Sequence, residues 1–120
     1  MAHILVVDDD ASTRVALQAI LTPAGYAVIE AANGEEAIRR CREQQADLVV
    51  LDILMPEKEG LETIRELKRD FPKVKIIAIS GCGAQYLRMA KEFSAHRTFR
   101  KPFSLDEIVE AVKALLEGCL

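Results

Sequence analysis

Five short apolar runs, each followed by a stretch with helical spacing, restrict this chain to very few folds. The runs are Ile4-Leu5-Val6-Val7, Tyr26-Ala27-Val28-Ile29, Leu48-Val49-Val50-Leu51, Val74 to Ile79, and a brief Thr98-Phe99 stopped by Pro102. They are continuous rather than alternating, as in strands covered on both faces. Between them Leu17, Ile20, Leu21 and Ala24 recur at helical intervals, and Ala37, Ile38 and Cys41 do so over a shorter span. Leu61, Ile64, Leu67 and Phe71 line another helix face, as do Tyr86, Met89, Ala90 and Phe93, and then Leu105, Ile108, Val109, Val112 and Leu116. Ser104 with Glu107 reads as a capping box, and Asn33 with Glu36 as its relative. Pro23 and Gly25 predict the end of the first helix. Strand–helix repeated five times predicts an α/β fold with a five-stranded parallel sheet. Right-handed crossovers over two covered faces make it a doubly wound three-layer sandwich.

Size and charge narrow the function classes. With 120 residues, 50% of them apolar, the chain is one domain, expected over 1–120. On folding it should leave about 6,400 Å² exposed out of roughly 19,000 Å². A net charge of −3 is no electrostatic footprint for nucleic acid. No apolar run approaches the ~20 residues that span a bilayer, and the N-terminus lacks the basic start of an export signal. Cys41, Cys82 and Cys119 are odd in number and widely spaced, which argues against zinc, disulfide and thioredoxin-type sites. Cys41 and Cys119 read as packing residues, and Cys82, between two glycines, as an exposed thiol. A reducing cytoplasm is the expected location.

In doubly wound sheets chemistry collects at the carboxyl ends of the strands. Here the first strand ends in Asp8-Asp9-Asp10, the third in Asp52, the fourth in Ser80-Gly81, and the fifth runs into Arg100-Lys101-Pro102. Taken singly these residues are ordinary. Asp10 or Ser12 serves as a helix cap, Ser80 as a turn residue, Lys101 and Arg100 as surface charges. Together they gather several carboxylates, a hydroxyl and an ammonium on one edge. Carboxylates ~4 Å apart repel by about 4 kcal/mol per pair at an effective dielectric of 20. Lys101 balances one charge, and Mg²⁺ suits the remainder of an open, carboxylate-poor site that keeps several waters.

The segments ILVVDDD, DLVVLDILMPEKEG, IIAISG and FRKPF resemble, in order and spacing, the signatures of response-regulator receiver domains of two-component signalling. The resemblance covers essentially the whole chain and implies a CheY-like, flavodoxin-like sheet of strand order 2-1-3-4-5. It implies that Asp52 accepts a phosphoryl group from a phosphohistidine on a sensor histidine kinase or phosphotransfer protein. Asp9 would bind Mg²⁺ directly, Asp8 through water, and Leu54 through its backbone carbonyl. Ser80 would hydrogen-bond the phosphoryl oxygens, with Gly81 leaving room beside them. Lys101 would pair with Asp52 or its phosphate, placed by a cis peptide before Pro102. Leu54 and Cys82 would flank the path of hydrolytic water, and neither orients water well, which implies a long-lived phospho-form. The fourth helix, fifth strand and fifth helix would be the output face, open to an effector or a second copy.

The chain departs from the family pattern in places. Thr98 stands where many receivers carry a switch aromatic, and Phe99 falls on the opposite face of its strand. Glu59 replaces the common Asp before Gly60. Gly81-Cys82-Gly83 predicts a mobile loop ahead of the fourth helix. A competing class is a Mg²⁺-dependent phosphatase with an aspartyl nucleophile, but that motif places its acids on the first strand, whereas Asp52 ends the third. A flavodoxin-type binder needs a phosphate-cradling loop after the first strand, where three aspartates would repel the phosphate. An inert pseudo-receiver would lack the acids or the lysine.

Overall fold

The computed structural model describes residues 1–53, 60–81, 84–92 and 95–118, with backbone alone over 84–87. Its elements alternate as β1 (His3–Val7), α1 (Ala11–Leu21), β2 (Ala27–Ala31), α2 (Gly34–Glu43), β3 (Leu48–Asp52), α3 (Gly60–Asp70), β4 (Lys75–Ser80), α4 (Ala84–Glu92), β5 (Arg97–Arg100) and α5 (Leu105–Glu117). The five strands pair in parallel in the order β2-β1-β3-β4-β5, as expected. The exposed surface is 6311 Å², close to the area expected for a chain of this mass.

The uninterrupted apolar runs are explained by two cores, one on each face of the sheet. Leu5, Val7, Val49, Leu51, Ile76 and Ala78 pack toward Ala37, Ile38, Ile64, Leu67 and Ala90 of α2, α3 and α4. The intervening Ile4, Val6, Leu48, Val50, Ile77 and Ile79 pack toward Leu17, Leu21, Ile108 and Val112 of α1 and α5. Successive strand residues point to opposite faces, so a strand buried on both must be apolar throughout. β3, the middle strand of the five, is buried at every position.

Local signals set the ends. Asp10 caps α1, accepting the Ser12 amide at 2.9 Å, so the aspartate and not the serine is the cap. Asn33 accepts the Glu36 amide at 2.9 Å, while Glu36 Oε1 reaches back to the Ala32 amide at 3.0 Å. Ser104 caps α5 and Gly118 closes it with φ +65°. Helix α1 stops at Leu21, ahead of the pattern's last position, Ala24. The chain then turns through Gly25 at φ +104°. On α4 Ala90 is buried as expected but Met89 is 39% exposed, while Phe93 and the Tyr86 side chain lie outside the described residues. Adjacent helix positions lie ~100° apart, so Met89 faces away from the core that Ala90 enters. Cys41 is buried as expected, and Cys82 and Cys119 lie outside the described residues. No helix among them is long and apolar enough to cross a membrane.

Tyr26 ties the start of β2 to the end of α5. Its hydroxyl donates to Glu117 Oε2 at 3.0 Å across 91 positions of sequence. Burial, then this bond and the charge of Glu117, push the phenol up to about 12. A raised folded-state value means that this contribution is fully present below pH ~10 and is lost as the pH rises through about 12. Tyr26→Phe should cost about 1 kcal/mol at neutral pH and should flatten the fall in urea midpoint above pH ~10. Equal alkaline slopes in the two proteins would show that the bond contributes nothing.

Candidate functional site

The carboxyl ends of β1, β3 and β4 and the segment after β5 converge. β1 delivers Asp8 and Asp9, β3 ends in Asp52, and β4 ends in Ser80, one residue beyond the partner of Asp52. Lys101 follows β5, its amide donating to the Ser80 carbonyl at 2.8 Å, and its peptide bond to Pro102 is cis. The lysine reaches back over the sheet edge. Its Nζ donates to Asp52 Oδ2 at 2.9 Å and to Asp8 Oδ2 at 3.0 Å. Asp8, Asp52 and Ser80 are all buried, at 2%, 6% and 0% exposure.

A buried carboxylate pair is costly unless countered, and the geometry shows the counter-charges. Burial pushes the Asp8 carboxyl above its ordinary value. The hydrogen bonds from the Asp10 amide and from Lys101 work against that, and the charge of Asp52 adds to it. Partial burial disfavours the Lys101 ammonium, but its bonds to Asp52 and Asp8 and their charges outweigh this, and it is held above the ordinary lysine value. One ammonium against two buried acids leaves negative charge over. Asp9 adds more: one carboxylate oxygen from each of Asp8, Asp9 and Asp52 lies within 4.8 Å of the others. Three such oxygens, two from buried side chains and one from an exposed one, are a donor set that fits a small, hard divalent cation.

Most of the expected site residues thus come together. Asp8, Asp9, Asp52 and Lys101 form one cluster, with Ser80 at the neighbouring strand end. Leu54 lies outside the described residues, as does Cys82. Asp10 belongs to the helix cap, and hydrogen bonds from the Ser12 hydroxyl and amide hold its carboxyl below the usual range. A methyl group on Gly81 would meet Lys101 Cβ and Cδ at an ordinary 3.9 Å. Arg100 is exposed. Thr98 pairs with Ala78 of the α2–α4 core, and no aromatic ring stands at that position of β5. Phe99 packs partly buried on the α1–α5 side, with the Arg97 guanidinium 5.1 Å above its ring.

Two contributors escape a reading by strand ends. Arg14, on α1, donates through Nη1 to the Asp8 carbonyl at 2.6 Å and through Nε to Glu30 Oε1 at 3.0 Å. Gly60 opens α3 with its amide donating to the Ile53 carbonyl at 3.0 Å. A Cβ there would stand 2.2 Å from Ile53 Cα. The signal for Gly60 is its place at the end of the motif DLVVLDILMPEKEG, eight residues after Asp52. For Arg14 it is a basic residue one helical turn past the cap, with Glu30 at the end of the second run.

A family model described as the response regulator receiver domain matches residues 4–113. The chain belongs to this family. Receivers are signalling modules of two-component systems rather than classical enzymes, and the family uses Mg²⁺. This receiver is 40% identical over 112 residues to the chemotaxis protein CheY of Thermotoga maritima, covering 92% of this chain and 93% of that one. Its fold matches a CheY-like receiver from Methanospirillum hungatei with a TM-score of 0.93 at 26% identity, over 98% of this chain and 95% of the other. It also matches the response regulator TrrA of T. maritima, solved in complex with Mg²⁺–BeF, with a TM-score of 0.87 at 37% identity, over 97% and 100% of the two chains.

Proposed function

We propose that this receiver accepts a phosphoryl group on Asp52 from a phosphohistidine of a sensor kinase or phosphotransfer protein and passes the signal on as a change of conformation. The observation that carries the reading is Lys101 Nζ bridging buried Asp52 and Asp8, with a carboxylate oxygen of Asp9 within 4.8 Å of one from each. A carboxylate oxygen of Asp52 attacks phosphorus, the bond to the donor's imidazole nitrogen breaks, and that nitrogen keeps the electron pair. Such transfer depends on positioning and charge stabilisation more than on covalent assistance. Lys101 supplies a fixed positive charge beside the attacking oxygen. Asp9 and Asp52 would hold Mg²⁺ directly, with Asp8 through water and the Leu54 carbonyl as a further ligand, and the ion would balance charge on the transferring group. That TrrA carries Mg²⁺ with a beryllium fluoride, a phosphoryl mimic, supports this assignment.

Ser80 is buried at the adjacent strand end and is proposed to bond the phosphoryl oxygens. A groove bordered by Ser12, Ala16, Gly81, Lys101 and Phe103 opens beside the lysine and gives a donor an approach. Movement of Ser80 and Lys101 toward the phosphoryl group would bias α4, β5 and α5, the proposed face for an effector or a second copy. The domain is read as one cytoplasmic unit over 1–120 with no catalytic turnover beyond gain and slow loss of its own phosphate.

Acetyl phosphate tests the metal requirement: label should enter in Mg²⁺ and fail to enter in EDTA. Mg²⁺ should also raise the melting temperature. Asp9 is the exposed acid of the cluster, so Asp9→Asn removes repulsion at little cost in packing. It should melt roughly 3–5 °C higher than wild type in EDTA and gain less from Mg²⁺. Equal labelling with and without Mg²⁺, or a lower melting point of Asp9→Asn in EDTA, would contradict the cation assignment.

A further inference from the structure

We infer that Arg14 is a positioning residue for the cation site, holding the backbone that carries Asp8 and Asp9. The inference rests on the Mg²⁺-dependent reading above. Arg14 is only 19% exposed, low for an arginine on a helix surface. Its two polar contacts run in different directions. Nε is bound to Glu30 on the edge strand β2, and Nη1 to the carbonyl oxygen of Asp8. Glu30 pairs in register with Val6, two residues before Asp8. The guanidinium therefore spans from β2 to the point where β1 leaves the sheet.

That carbonyl belongs to the peptide joining Asp8 to Asp9. On the other side of the same residue, the Asp8 amide donates to the Ala31 carbonyl at 3.1 Å. Asp8 is thus fixed at its amide by β2 and at its carbonyl by Arg14, and the plane of the next peptide sets where the exposed Asp9 side chain points. The rigid fork of an arginine can hold two acceptors at once, which a lysine's single point of charge does not reproduce. Partners one step removed from a metal ligand commonly change affinity 10- to 100-fold when lost.

The charge and the grip of Arg14 act in opposite directions on a cation. A positive side chain near the cluster opposes Mg²⁺ by its charge alone, so deleting it should tighten binding if charge were its only effect. If its effect is to orient Asp8 and Asp9, deleting it should weaken binding. Arg14→Lys separates the two, because it keeps the charge and loses the fork.

Isothermal titration with Mg²⁺ alone, on unphosphorylated protein at a temperature where circular dichroism shows every variant folded, reads this directly. Arg14→Gln and Arg14→Lys should each bind Mg²⁺ about tenfold more weakly than wild type. The Mg²⁺ concentration that half-saturates labelling by acetyl phosphate should rise by the same factor. If the glutamine variant fails to fold, Arg14→Lys and Glu30→Gln carry the test, the latter weakening binding in the same direction. Unchanged or tighter Mg²⁺ binding in folded variants, with or without a lower melting point, would overturn the inference. Absence of Mg²⁺ binding in the wild type would overturn the cation assignment itself.

Discussion

Gly60→Ala should destabilise this receiver by about 4 kcal/mol or more, a loss that belongs to the exceptional tail of single substitutions. The added Cβ would sit 2.2 Å from Ile53 Cα and 2.7 Å from its carbonyl carbon. Both are backbone atoms, so no rotamer change relieves the clash. Ile53 is held on its other side, its amide donating to the Ile79 carbonyl at 3.0 Å. Its side chain is buried in the α2–α4 core. Either α3 moves away, breaking the Gly60–Ile53 bond, or Ile53 moves and carries Asp52 with it. Gly25→Ala is the control. It has open space for a methyl group but a φ of +104°, so it should cost only about 1–2 kcal/mol of conformational strain. Denaturant titration of both variants separates crowding from backbone strain. A Gly60→Ala protein within ~1 kcal/mol of wild type would mean that the start of α3 does not press on Ile53 as described.

Asp52→Asn should abolish phosphorylation while leaving the fold intact. An amide in place of the carboxylate cannot form the acyl phosphate. The change keeps the side chain's size in a site that is 6% exposed. Lys101 loses its ion pair at 2.9 Å but retains Asp8 at 3.0 Å. Removal of one of two neighbouring buried charges offsets that loss. The melting point in EDTA should therefore stay within a few degrees of wild type, so that lost labelling reports chemistry and not unfolding.

The parallel α/β sandwich and most of the candidate site could be read from the order of residues because each rests on a local pattern, whereas the strand order came from the family resemblance. Apolar runs of Val, Ile and Leu mark doubly covered strands, and the polar residue that ends each run lands on one edge of the sheet. Asp8, Asp52 and Lys101 meet for that reason, though 93 positions separate the first from the last. What escaped depends on distances between elements, which no local pattern carries. Arg14 looks like the one charge on an otherwise uncharged α1, and only the placement of β2 beside it reveals the grip on Asp8. Gly60 is only the last residue of a motif until Ile53 is found against it. Tyr26 reads as the first residue of a strand. The structure starts β2 one residue later and turns the phenol to Glu117. Met89 fits the helical period of α4 yet is exposed, since periodicity marks a face without stating how wide a strip the neighbouring sheet covers.

The central claim is that Asp52 is the phosphoacceptor, and the position of the phosphoryl group tests it most directly. Wild-type protein labelled by acetyl phosphate in Mg²⁺, reduced with borohydride to convert any aspartyl phosphate to homoserine, and mapped by mass spectrometry should show homoserine at position 52. Asp52→Asn carried through the same steps should show none anywhere. Homoserine at Asp8, Asp9 or another acid in the wild type, or undiminished labelling of Asp52→Asn, would contradict the account.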